Sequence, residues 1–389
     1  MGFRVLTLNS ISARGLERLP RDGYEVGVKV DSPHAILVRS ADMHALALPA
    51  SVLAVARAGA GTNNIPVGAL TARGIPVFNA PGANANAVKE LVLAGLLLAA
   101  RHVCEAWAFV RTLEGDEAAL EVAVEAGKKR FVGYELPGRT LGVVGLGAVG
   151  VAVANAGHAL GMRVLGYDPQ ITVQRAWQLS SGVEHALSVE DLLARSDLVT
   201  LHVPAADSTR GLVGGARLRQ MKKGAALLNF ARAAVVVESE VLAALDAGQL
   251  SAYVTDFPSP ASKDHARVVA LPHLGASTGE AEENCAVMVV DTLRDFLENG
   301  NLRNSVNFPE AVLPRLPGTF RLVIANANVP NMVGQISTAL ASAGLNIADL
   351  LNKSRGEVAY TIIDTDAPMP DDVVARMRAI AGVLGARLL

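Results

Sequence analysis

The sequence predicts an α/β protein: two parallel, doubly wound sheet domains, the first discontinuous, followed by a small βαββαβ unit. Three observations carry that prediction. Short apolar runs alternate with helical stretches over most of the chain, which is the rhythm of parallel βα units. A glycine-rich turn at residues 140–150 arrives only after a domain's worth of βα material. The tail, from residue 320, repeats strand, helix, strand, strand, helix, strand, a split ferredoxin-like order.

Strand-like runs fall at residues 5–8, 35–38, 52–56, 142–144, 164–167, 198–202, 225–229 and 268–270. Each is short and apolar, as strands covered on both faces should be. A helical pattern over residues 86–111 reads as a crossover between domains, and its stretch 91–100 as a buried or subunit-interface helix. Ten apolar residues closed by Glu90 and Arg101 are too few to span a bilayer. A second long helix, 280–298, returns the chain to the first domain. The boundaries expected are residues 1–88 with 273–308 for the discontinuous domain, 89–272 for the second and 318–389 for the tail. Pro309, Pro314, Pro317 and Gly318 punctuate a linker. In the tail, strands are expected at 320–327, 347–353, 357–364 and 383–388, and helices at 331–343 and 371–380.

Composition narrows the function classes. The 35 Lys and Arg against 37 Asp and Glu leave a net charge of −2, with no basic footprint for nucleic acid. No basic-then-apolar leader precedes the first strand. Cys104 and Cys285 are the only cysteines, too few for a disulfide framework and not at ligand spacing. The expectation is a protein of a reducing cytoplasm, with no metal site and no membrane or nucleic-acid partner.

The segment Thr140-Leu-Gly-Val-Val-Gly-Leu-Gly-Ala-Val-Gly150 reads as a strand, a turn and a helix start, and a second strand follows it to Asp168. Gly145 permits the tight turn, Gly147 lets the backbone approach a pyrophosphate, and Gly150 lets helix and strand pack closely. A diphosphate would rest on the free amides of the helix start. Asp168 would accept hydrogen bonds from the adenine-side ribose and repel a 2′-phosphate, which favours NAD over NADP. The two sheet domains are therefore expected to be Rossmann-like.

With these residues in view, the chain resembles the D-3-phosphoglycerate dehydrogenases of the D-2-hydroxyacid dehydrogenase family, and its tail resembles an ACT domain. The motifs are Val38-Arg39-Ser40-Ala41, Arg57-Ala-Gly-Ala-Gly61, Arg73-Gly-Ile-Pro-Val-Phe-Asn79, Tyr167-Asp168-Pro169, Asn229-Phe-Ala-Arg232 and Pro272-His273-Leu-Gly-Ala-Ser-Thr278. The resemblance implies NAD-dependent oxidation of 3-phosphoglycerate, the first step of phosphorylated serine biosynthesis, by a homodimer or homotetramer. It extends the cofactor set to Ala148, Val149, Pro204, Ala231, Asp256 and Gly275. A hydroxypyruvate or glyoxylate reductase is the alternative, and a corepressor-like NAD sensor a more distant one. The ACT-like tail argues against both.

Oxidation of a 2-hydroxy acid needs a base for the hydroxyl proton and a cation for the carboxylate. His273, just past an expected strand end, can cycle between neutral and charged near neutral pH. Arg232, past the strand 225–229, offers a two-point guanidinium fork. The family's third member, a glutamate that pairs with the histidine, is missing from Thr255-Asp256-Phe257-Pro258-Ser259-Pro260-Ala261. Three readings compete: Asp256 beside the nicotinamide with His273 unpaired, Asp256 as the histidine's partner, or Asp264 in that place. A place for Asp256 near the nicotinamide is favoured, and the partner of the histidine stays open. A histidine without a carboxylate is more easily kept neutral, the form that accepts the proton of oxidation.

For a phosphorylated substrate, Arg39 and Arg57 supply candidate cations, with Lys129 and Arg130 as further candidates. A solvated surface pair is the plain alternative for the last two. The resemblance also turns Ser40, Ala60, Gly61 and Asn84 toward the substrate. In the tail, Asn326, Asn328 and Asn346 stand where an amino-acid effector would bind. Asn328 and Asn346 match the serine-responsive pattern, whereas Asn326 replaces a histidine and Asn331 a glycine. An amide still offers a donor and an acceptor, so the tail is expected to bind an effector or to dimerise.

Overall fold

The computed structural model describes residues 2–389. The chain folds as two compact units, residues 1–84 with 279–389 and residues 85–278. The first unit opens with β1 (Phe3–Leu8), β2 (Tyr24–Gly27), β3 (Ala35–Val38), β4 (Ala54–Arg57) and β5 (Val77–Phe78). They form one parallel sheet in the order β2-β1-β3-β4-β5. β3 is buried at every position, which is why it reads as an unbroken apolar run. The helix Gly279–Asn299 closes this sheet, placing Cys285, Val289, Leu293 and Phe296 in its core.

The second unit carries β6 (Thr140–Val144), β7 (Arg163–Tyr167), β8 (Val183–His185), β9 (Leu198–Leu201), β10 (Ala225–Asn229), β11 (Leu250–Thr255) and β12 (Val268–Ala270). The order β12-β11-β10-β9-β6-β7-β8 is parallel throughout. Successive strands run outward from β6 in one direction and from β9 in the other. The switch point between them is where such sheets bind ligands, beyond the carboxyl ends of the strands.

The C-terminal module has β13 (Phe320–Ala327), β14 (Ile347–Arg355), β15 (Val358–Thr365) and β16 (Val383–Leu388) in an antiparallel sheet, order β14-β15-β13-β16. The helices Met332–Ser342 and Asp371–Ala379 cover one face through Met332, Ile336, Leu340, Val373 and Met377. This is the expected βαββαβ order.

Several expectations shift. The boundaries fall at 84/85 and 278/279, where the two long helices begin, rather than at 88/89 and 272/273. The tail does not stand apart as a third unit. The second face of its sheet joins the core of the first unit through Val323, Ala325, Tyr360 and Ile362. Arg321 and Asp364, both fully buried, form a two-point ion pair at 2.7 Å. Arg321 also donates to the Asn299, Leu313 and Pro314 carbonyls. A buried pair is tolerable when its remaining donors are satisfied, and these bonds pin the proline-rich linker. The single helix expected at 86–111 divides into Ala85–Arg101 and Val103–Val110. His102 between them is left-handed, with φ +50°, and the axes bend by 66°. No single helix among the described residues is long and apolar enough to cross a membrane.

Candidate active site

The glycine turn follows β6 and starts the helix Ala148–Ala159. Gly145 has φ +91°, and a Cβ there would lie 2.5 Å from the His202 carbonyl oxygen. A Cβ on Gly150 would fall 1.9 Å from the Gly145 oxygen. At Gly147 a Cβ would meet nothing within 4 Å. Two glycines are thus fixed by the protein's own backbone, and the middle one faces open space at a helix start, beside Ala148 and Val149. That is the cradle a diphosphate fills. Asp168, past β7, accepts hydrogen bonds from the Leu146 and Gln170 amides, each at 2.8 Å. The acid therefore holds the turn in place, and each oxygen keeps a lone pair for a ribose hydroxyl. Pro204, Ala231 and Gly275 lie past β9, β10 and β12 on the same sheet edge.

Arg232 is presented by a knot at the end of β10. Fully buried Asn229 accepts from the Ala231 amide at 3.2 Å and donates to the Arg232 carbonyl at 3.0 Å. Thr255, ending β11, donates to the Asn229 carbonyl at 3.0 Å and accepts from the Phe257 amide. The Arg232 guanidinium is exposed and, among the described residues, bonds only the Ala231 carbonyl. Asn229 and Thr255 are positioning residues that the sequence quoted only as parts of motifs, since an asparagine in an apolar strand end carries no signal by itself.

His273 is also exposed and left-handed, with φ +50°. Its amide donates to the Asp256 carbonyl at 3.0 Å and the Leu271 carbonyl at 3.1 Å. Its ring packs against Phe257, with centroids 5.0 Å apart at 60°. Among the described residues no carboxylate lies within ion-pair distance of this imidazole. Asp264 instead pairs with Lys263, so that reading of the missing glutamate is set aside. The loop that lacks the glutamate is tied down elsewhere, by Ser259 donating to Glu238 at 2.6 Å. Asp256 is 1% exposed. One carboxylate oxygen accepts from the Gly275 amide at 3.2 Å, and the other, Oδ1, has no partner among the described residues. Burial pushes its carboxyl above the usual range, against the opposing pull of the Gly275 amide, His273 and Arg232. An orphaned, buried acceptor on the cofactor edge is what a nicotinamide carboxamide would satisfy. His202 is fixed neutral, because burial drives its pKa down to about 3.

The other expected substrate residues divide. Arg39 and Ser40 follow β3, and Arg57, Ala60 and Gly61 end or follow β4, so the first unit collects them at its own carboxyl edge. Asn9, past β1, accepts from the Ser40 amide, Asn79 donates to the Ala60 carbonyl at 2.6 Å, and Arg39 pairs with Glu282. Asn84 sits in the turn before the helix Ala85–Arg101. Lys129 and Arg130 lie on a different part of the second unit. Arg130 lies over the Phe109 and Phe131 rings, and the segment returns at Tyr134 to the Ala100 carbonyl. Gly275 packs on Val88, near the start of the same helix. At a rise of 1.5 Å per residue, the two ends lie roughly 18 Å apart. In the C-terminal module, buried Asn326 is taken up by the Ala327 carbonyl and Thr361. Asn328 bonds Gly356 at one end of the sheet, and Asn346 bonds Asp366 at the other. One module therefore does not bring the three together.

An exposed imidazole and a guanidinium on the same sheet edge as an open diphosphate-sized turn place the chain among the dinucleotide-dependent oxidoreductases. Comparison with known proteins narrows the class. The model for the NAD-binding domain of D-isomer specific 2-hydroxyacid dehydrogenases matches residues 93–275. The chain is 33% identical over 385 residues to D-3-phosphoglycerate dehydrogenase of Haemophilus influenzae, spanning 95% of this chain and 89% of that one. The Escherichia coli K12 protein of the same name is 35% identical over 344 residues, spanning 85% and 79%. Among solved structures, a glyoxylate reductase from Paecilomyes thermophila has a TM-score of 0.63 at 26% identity, covering 78% of this chain and 98% of that one. The NAD+-bound 3-phosphoglycerate dehydrogenase of Entamoeba histolytica shares the fold, with a TM-score of 0.60 at 24% identity over 79% and 99% of the two chains. The chain belongs to the D-isomer specific 2-hydroxyacid dehydrogenase family, and residues 93–275 are its NAD-binding domain.

Proposed function

We propose that this enzyme oxidises D-3-phosphoglycerate to 3-phosphohydroxypyruvate with NAD, the entry into phosphorylated serine biosynthesis. The observation that carries the chemistry is the gathering of His273, Arg232 and Asp256 on the edge that bears the glycine turn. Bound NAD supplies the hydride acceptor. His273 takes the proton of the C2 hydroxyl as the C2 hydride leaves, so the alcohol yields a ketone, NADH and an imidazolium. Arg232 holds the carboxylate by its fork and draws charge toward the C2 oxygen. Asp256 Oδ1, buried and without a protein partner among the described residues, would accept from the carboxamide of NAD and so help to hold it. Arg39 and Arg57 are the cations assigned to the phosphate. The deciding assay is NADH formation from 3-phosphoglycerate beside NADH consumption with glyoxylate and hydroxypyruvate. Arg39→Glu should cost at least tenfold in kcat/KM for phosphoglycerate and little for an unphosphorylated hydroxy acid. Equal losses for both would reject the phosphate role.

Asp256→Asn separates cofactor binding from stability. Asparagine keeps an acceptor for the Gly275 amide and removes a buried charge. A carboxyl raised by burial favours the fold below its unfolded pKa, and that contribution is lost as pH rises through the folded value. The variant should therefore melt above the parent at pH 7, with the gain shrinking as pH falls toward about 4. Its KM for NAD should rise about tenfold. Thermal melts across pH and NAD titration read both effects, and an unchanged NAD affinity would remove Asp256 from the cofactor site.

In the same reading the protein is a homo-oligomer of a reducing, cytoplasmic compartment, with both cysteines free. Leu97, Val103, Trp107 and Val110 form an exposed apolar patch on the two helices flanking His102, a surface that a second copy would cover. Asn328 and Asn346 lie at opposite ends of one module, so an amino-acid effector that uses both needs two copies. Sedimentation and NADH formation with and without L-serine test this directly.

A further inference from the structure

The C-terminal module and the β1–β5 sheet, both within the first unit, flank an open cavity of about 210 Å³. That equals the liquid volume of roughly seven waters. Three arginines line it: Arg73 before β5, Arg378 from the last turn of the helix Asp371–Ala379, and Arg387 from β16. Among the described residues no carboxylate lies within ion-pair distance of any of them.

Their partners are neutral. Arg73 donates to the Leu48 and Pro49 carbonyls. Arg378 places Nε and Nη2 on the Ala386 carbonyl. Arg387 stacks 4.4 Å from the Phe296 ring and donates to the Phe296 and Leu297 carbonyls. Carbonyls satisfy donors without cancelling charge. The carbonyl end of the helix Gly279–Asn299 answers about half a charge at Arg387, and Arg73 and Arg378 stand at the carbonyl ends of the shorter helices Val67–Ala72 and Asp371–Ala379. Each of these two guanidinium groups has five N–H donors and commits two, leaving three. Tyr360, also on the wall, donates to the Gly300 carbonyl at 2.9 Å. Burial pushes its pKa up to about 12, so it stays neutral.

A second feature points to a ligand independently of charge. Gly385 lies inside β16, paired with Ala325, and a Cβ there would meet nothing within 4 Å. Glycine weakens a strand interior and marks places where another group approaches the backbone closely. Here the bare backbone lines the cavity.

We propose that this cavity is an anion site, which takes a compact molecule carrying two or more carboxylate or phosphate groups and clamps the C-terminal module to the sheet that bears Arg57. Its walls include Val52 and Leu53, just before β4, the strand that Arg57 ends.

The test is calorimetric titration and thermal melting of the full chain with citrate, with inorganic phosphate and with chloride at matched ionic strength. The double variant Arg73→Gln/Arg378→Gln and the separate variant Gly385→Val are run alongside. Arg387 is left alone because it closes the helix end. Citrate, phosphate or both should bind the parent saturably and raise its melting temperature beyond chloride, and whichever binds names the recognised group. The double variant should lose at least tenfold in that affinity with 3-phosphoglycerate KM within twofold of the parent. Gly385→Val adds a better strand former, so it should melt no lower than the parent while its anion affinity falls at least tenfold. Unchanged anion affinity in both variants, or no saturable binding to the parent, would overturn the proposal. The anion readouts are binding and melting, so they stand whether or not phosphoglycerate is the substrate; only the KM control rests on that reading.

Discussion

Replacing His273 with Gln is expected to lower kcat for oxidation by roughly two to four orders of magnitude, the usual contribution of a positioned general base. KM for NAD should stay within about threefold, because the imidazole touches neither the glycine turn nor Asp168. If the ring acts only in the transition state, kcat and kcat/KM must fall together. Glutamine fills the space and keeps hydrogen-bonding capacity but accepts no proton at these pH values. A variant within tenfold of the parent would mean that another group is the base.

The same loop yields a subtler expectation. Among the described residues no carboxylate reaches the His273 ring; its backbone is left-handed, its amide donates to two carbonyls and its ring packs against Phe257. Aromatic pairs of this geometry contribute about 0.5–1.5 kcal/mol beyond burial. Phe257→Leu should thus reduce kcat roughly twofold to tenfold with NAD affinity intact, and Phe257→Tyr should restore it. A purely structural Phe257 would lower the melting temperature without that split between kcat and NAD binding.

How much of this was legible in the sequence follows from the range of the interactions involved. The glycine turn was readable because each glycine answers a local demand within a few residues, at Gly145 a positive φ and at Gly150 a backbone clash. Arg232 and His273 were readable as residues just past strand ends. β2, β5 and β8 went unseen because they are short and lie at or beside sheet edges. β11 was missed because Ser251 and Thr255 interrupt its apolar pattern, although Thr255 is buried. The break at His102 sits inside an otherwise continuous helical pattern, where only a backbone angle reveals it. The merging of the tail with the first unit rests on pairs far apart in sequence, such as Arg321 with Asn299 and Arg387 with Phe296. No local pattern encodes those. The partner of the histidine was misleading in the opposite sense, since the family pattern directs attention to a carboxylate, whereas the structure places the Phe257 ring beside the imidazole.

The two glycines flanking the start of the cofactor helix should respond oppositely to one added methyl group. Gly147 has φ −70° and ψ −163°, ordinary for any residue, and open space where a Cβ would go. Gly147→Ala should fold normally and gain about 0.4–1 kcal/mol, because alanine has fewer unfolded conformations to lose. Its methyl would occupy the volume through which a diphosphate reaches the helix-start amides, so NAD affinity should fall at least tenfold. Gly150→Ala places a methyl 1.9 Å from the Gly145 oxygen. Backbone on both sides cannot yield cheaply, and overpacking of this kind costs about 1–3 kcal/mol or more. That variant should lose both stability and NAD binding. Melting temperature plotted against NAD dissociation constant separates the two mechanisms, since only steric exclusion of the ligand raises the second without lowering the first. If Gly147→Ala bound NAD as tightly as the parent, the open space beside Gly147 would not be the diphosphate's, and the cofactor would have to approach the switch point between β6 and β9 from another side.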